Sequence, residues 1–186
     1  MTITWAEQGQ THTLHWRSAQ GAPAPRRVQV ADDRLSADQA YRLACEGTGL
    51  LWRGDFQNAR QLLQALQRRV ARKPAPSAAR AAAKAAQADA ATRFHLHRQA
   101  QAQRARTLGA LLIALEGDYS IALRRAPDWR AACAEAWGPA DDAPSVVSLR
   151  ELLGIVGAHE WRKKGVEIAA LGAPPHNRIH PHYGVF

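Results

Sequence analysis

The chain has 186 residues, 46% of them hydrophobic and 22% charged, with a formal net charge of +9. That length supports one good-sized core, or one core with a smaller lobe, and no window approaches the roughly 18 uninterrupted apolar residues of a membrane helix. Met1 to Trp5 lack the basic start and apolar run of a signal peptide, and two isolated cysteines, Cys45 and Cys133, fit small core residues in a reducing cytosol, so a cytoplasmic protein without membrane attachment is expected.

In chain order, Ile3 to Trp5 and His12 to Trp16 read as the strands of a hairpin around Gly9, with Val28 to Val30 as a third strand after the Gly21–Pro25 loop. Ser36 and Gln39 form a capping-box signature that opens a helix to about Glu46. Gly47-Thr-Gly49 ends that helix. It is not a dinucleotide turn, because that fingerprint needs a strand before it and a helix after. Asp55 is the expected N-cap of a second helix, whose Phe56, Ala59, Leu62, Leu63, Leu66 and Val70 recur at three- and four-residue intervals as one apolar stripe. Pro74 and Pro76 stop it. Ser77 can cap a third, Ala-rich helix running to about Arg106, whose first half offers little to bury.

Leu108 to Leu115 and Tyr119 to Leu123 read as two strands around a Glu116–Asp118 turn, and Trp129 to Trp137 as a short helix. Ser148 and Glu151 make a second capping box ahead of Leu149, Leu152, Leu153 and Val156, and Val166 to Ile168 is an expected strand. The expected fold is α+β, a mostly helical domain with a small antiparallel sheet. It divides into an N-terminal hairpin with helices (1–73), an Ala-rich basic helical segment (74–92) and an α+β part (93–186).

The charge is local. Arg60 to Arg106 holds eleven Lys/Arg and one acid, Asp89, so this stretch carries +10 and the rest of the chain −1. An ordinary solvated helix mixes signs, because oppositely charged pairs four apart stabilise it and like charges repel. The near absence of acids therefore points to an anionic partner, RNA before DNA. The phosphate-neutralising candidates are Arg68, Arg69, Arg72, Lys73, Arg93, Arg98, Arg104 and Arg106. Trp161, Arg162, Lys163 and Lys164 add a ring beside three cations, suited to stacking on a base and holding phosphate.

Other chemistry is thin. His95 and His97 point to opposite sides of a helix, while His176, His180 and His182 could share an extended face but lack an obvious fourth ligand, so no metal is expected. No nucleophile elbow and no phosphate-binding glycine loop ending in Lys occurs.

The segments Cys45–Arg60, Phe94–Arg104, His159–Ile168 and Ile179–Phe186, taken as a set, resemble the amino-terminal half of a bacterial family of class I S-adenosylmethionine-dependent methyltransferases. These are similar to small-domain enzymes that modify ribosomal RNA or protein glutamine. The resemblance implies that Gly184-Val-Phe186 leads into a Rossmann-like catalytic domain bearing the glycine-rich cofactor loop and an Asn-Pro-Pro-aromatic motif. Neither motif is in this sequence, and Ala173-Pro-Pro-His176 lacks the Asn. No catalytic residue is carried over, and no cofactor is expected in this chain, S-adenosylmethionine belonging to the full-length family. The implied task is recognition of RNA, ribosomal RNA first. The alternative is an oligomerisation or protein–protein module, presenting the Phe56–Val70 stripe and the Trp129/Trp137 helix to a second copy or to a catalytic domain.

Overall fold

The computed structural model describes residues 1–19, 21–72 and 89–184. In chain order these form β1 (Thr2–Glu7), β2 (Gln10–Arg17), β3 (Arg27–Ala31), α1 (Ala37–Cys45), β4 (Thr48–Trp52), α2 (Phe56–Ala71), α3 (Ala90–Leu108), β5 (Leu111–Leu115), α4 (Arg130–Trp137), β6 (Ser145–Ser148), α5 (Leu149–Lys164), β7 (Val166–Glu167), a single 3-10 turn (Ala169–Leu171) and β8 (Arg178–Ile179).

The expected small antiparallel sheet is corrected here. Six strands form one mixed sheet in the order β1-β2-β6-β5-β4-β3, with β2–β6, β4–β5 and β3–β4 parallel and the other pairs antiparallel. The domain is accordingly not mostly helical. The sheet curls until β1 and β3, its two edges, approach each other as a nearly closed barrel. A salt bridge of 2.7 Å from Arg53, just after β4, to Glu7 at the end of β1 fastens that seam.

Pleating sorts the central strands onto two cores. Leu51, Leu112 and Val146 point inward, with Ile3, Trp5 and Trp16 of the hairpin. Leu50, Trp52, Leu111, Ile113 and Val147 point outward, where the helices cover them. Burial on both faces is why β4 and β6 show no alternation: every residue of Thr48–Trp52 and of Ser145–Ser148 is buried.

The hairpin forms as the sequence indicates, with Gln8 (φ 52°) and Gly9 (φ 78°) in the left-handed geometry of a tight two-residue turn. Ser36 and Gln39 close a capping box on α1, and Asp55 caps α2 by accepting from the Gln57 N–H. The α2 stripe of Phe56, Ala59, Leu62, Leu63 and Leu66 is buried on the sheet. Each of the Phe and Leu side chains contributes roughly 1.5–3 kcal/mol by leaving water.

Three expectations fail. Tyr119 to Leu123 is not a strand, because β4 and β6 already occupy both edges of β5 and Tyr119 adopts φ 68°. Ser148 sits at the N-cap of α5 without a side-chain cap bond, and Glu151 accepts from the Ala19 N–H instead. Cys45 is exposed, while Cys133 alone is buried, where desolvation pushes its thiol up to about 11. The Ser77 cap and residues 74–88 of the Ala-rich segment lie outside the described residues.

The C-terminal strands β7 and β8 pair antiparallel and finish α5. Arg178 donates to the Lys164 carbonyl at 2.8 Å, and the His180 ring lies 2.6 Å from the Arg162 carbonyl, so two side chains meet the free carbonyls of the helix end. Gly165 (φ 72°) lets the chain turn there, since a Cβ would lie 2.8 Å from the His180 ring.

Candidate nucleic-acid interface

The end of α2, the length of α3 and the start of α5 form the basic face. Arg68 and Arg72 are exposed in the last turn of α2 and just beyond it, where the negative end of the helix dipole favours cations. Helix α3 opens on Asp89, whose carboxylate accepts from the Thr92 N–H at 2.7 Å and is held below its ordinary range by that bond. Within α3 only Thr107 is buried. Arg93, Arg98, Arg104 and Arg106 are therefore all displayed to solvent, as are Phe94 (56% exposed) and Leu96 (40%).

The arginines differ in what they hold. Arg69 is a strut, its guanidinium 2.7 Å from Asp38 and so tying α2 to α1. Arg106 donates to Gln103 at 2.7 Å, and Arg98 lies 5.9 Å from the centre of the Phe94 ring. Among the described residues, Arg68, Arg72, Arg93 and Arg104 have no carboxylate partner. Lys73 lies outside the described residues.

Between these helices runs an open groove of about 440 Å³, with Val70, Ala71, Ala105 and Leu108 as its floor and Gln67, Gln101, Arg104 and Arg150 as its polar rim. Arg150 was not among the residues that sequence reasoning selected. It sits in the first turn of α5, the positive end of the dipole, and has no carboxylate partner among the described residues. A cation at a helix start, opposed by the dipole, was the available signal.

The Trp161–Lys164 cluster is a different environment. Arg162 pairs with Glu135 at 2.9 Å and Lys163 with Glu160 at 3.3 Å. Glu135 also lies 2.7 Å from the His159 ring; burial pushes its carboxyl up, but the His159 and Arg162 contacts together outweigh that and hold it below its ordinary range. Trp161 is 58% exposed. Fourteen residues of helix, about 21 Å, separate Arg150 from Lys164, so the cluster stands at the far end of α5 from the groove.

The chain matches no family model, no curated protein and no solved structure.

Of the apolar surfaces named for a protein–protein module, Phe56, Leu62, Leu63 and Leu66 are buried, whereas Val70, Trp129 and Trp137 are half-buried. Phe56 meets Trp129 edge to face at 5.2 Å, and Trp137 packs on Tyr119 at 5.7 Å, with the Arg17 guanidinium about equally close to both rings of the latter pair. Among the described residues, no group of three His, Cys, Asp or Glu is placed to hold a metal, and no helix is long and apolar enough to cross a membrane. Val185 and Phe186 of the tail lie outside the described residues. Tyr183 is half-buried near Glu151, and burial pushes its hydroxyl up.

Proposed function

We propose that this chain is the substrate-recognition part of a methyltransferase-like protein. It holds RNA, ribosomal RNA first, for a catalytic domain that supplies S-adenosylmethionine. The methyltransferase half of this reading is supported by the four sequence segments quoted above. The RNA half is supported by one observation: Arg104 and Arg150 line one groove from two helices, and they, like the exposed Arg68, Arg72 and Arg93 of the neighbouring helical surface, have no carboxylate partner among the described residues. Unpaired guanidiniums make a local positive field, and a polyanion neutralises it while releasing its own counterions.

Binding of structured RNA, followed by fluorescence anisotropy across a range of salt, tests it. The logarithm of the affinity should fall steeply and linearly with the logarithm of salt. Arg68→Glu with Arg72→Glu should flatten that slope by about two. Affinity indifferent to salt, or a slope untouched by the double reversal, would overturn the reading.

A further inference from the structure

We infer that the groove and the face of α3 above it form a track for an unpaired stretch of RNA, with phosphates held at Arg104 and Arg150 and one base stacked on Phe94. This rests on the RNA reading above and names the kind of RNA.

Residues 94, 98, 101, 105 and 108 follow one another at steps of four and three, so they share one face of α3. The lower part of that face, Gln101, Ala105 and Leu108, lines the groove. The upper part presents Phe94 and Arg98, about 10 Å further along the axis by helical rise. Groove and ring therefore belong to one continuous surface.

Phe94 does not serve the core. It is more than half exposed, on a helix with one buried residue. With Arg98 over one face of the ring, the other face offers a stacking platform of the kind that takes a base regardless of its identity. Gln67 and Gln101 make no side-chain hydrogen bond among the described residues, so both amides are left to meet base edges on the groove rim. Arg150, set against the dipole of its own helix, gains most from a phosphate.

The same features disfavour other occupants. A duplex hides the faces of its bases, so it cannot use the ring. A membrane surface needs apolar residues on one side of a helix, whereas Phe94 and Leu96, two residues apart, point to nearly opposite sides. An acidic polypeptide satisfies the arginines and leaves Phe94 unused.

The test compares a short unstructured RNA, its duplex and polyglutamate as ligands of the purified chain. The single strand should bind more tightly than the duplex, and polyglutamate should displace it poorly at equal charge. Phe94→Ala should weaken single-strand binding roughly tenfold, leave the salt slope and the duplex affinity as they are, and be rescued by Phe94→Trp. Because Phe94 is exposed, the thermal melt of each variant should overlay that of the parent. Arg150→Glu should lower the salt slope. Equal single-strand binding by Phe94→Ala, a preference for duplex, or equal displacement by polyglutamate overturns the track. If the salt slope survives while Phe94 proves neutral, only the track fails; if there is no slope, the RNA reading itself fails.

Discussion

Asp55 ties several parts of the molecule together. Its carboxylate caps α2, pairs with Arg125 at 2.6 Å and lies 3.6 Å from Arg124, though the residue is 4% exposed. Its carbonyl accepts from the Trp52 indole at 3.0 Å, and its N–H donates to Asp33. Gly54 makes that last contact possible, since a Cβ there would run into the Asp33 carboxylate. The Arg125 hydrogen bond, opposed by burial, holds the Asp55 carboxyl below its ordinary 3.8. A carboxyl depressed in the folded state adds stability above its unfolded value and loses it as pH falls through the lowered one. Asn at this position keeps the cap and loses the ion pair. Asp55→Asn should therefore melt below the parent at neutral pH, and the gap should close in acid, below about pH 4. Thermal melts across pH give the answer, and a gap that persists unchanged in acid would contradict the assignment.

At the scale of elements, α2 and α3 are opposites. One is held by a buried stripe; the other, among the described residues, packs against α1 and α2 and buries only Thr107 near its lower end. Leu63, 2% exposed in the middle of the α2 stripe, should cost about 2–5 kcal/mol when cut to Ala. Denaturant titration measures this, and a loss below about 1 kcal/mol would mean that the helix is not seated as described. The α2 stripe, its Asp55 cap and the Ser36 box were legible because caps and three-to-four spacing are local signals. Strands β4 and β6 were not. Each is four or five residues long, buried throughout, and set directly against a helix signal, Gly47 in one case and Ser148 in the other. Periodicity cannot mark so short a run, and a glycine that ends a helix looks the same whether a loop or a strand follows. Without β4 and β6 the sheet looked small. The basic face was legible as a charge count, but the groove depends on Arg150 meeting Arg104 across more than forty residues of chain, which no local pattern reveals.

For the molecule as a whole, the proposed division of labour has a direct check. Titration calorimetry of this chain with S-adenosylmethionine should give no binding heat, and stoichiometric uptake would show that the recognition part also handles the methyl donor. The sheet itself unites distant parts: β6 lies between β2 and β5, and Arg17 bonds Ser145 at 2.9 Å across 128 residues. During synthesis β2 has no strand partner beyond β1, and β5 lies bare along one side, until Ser148 has left the ribosome. Non-local pairings of this kind are slow and leave sticky intermediates. From Leu115 onward the nascent polypeptide therefore carries two half-sheets with no hydrogen-bonded strand between them, and the arrival of four residues, Ser145 to Ser148, welds them.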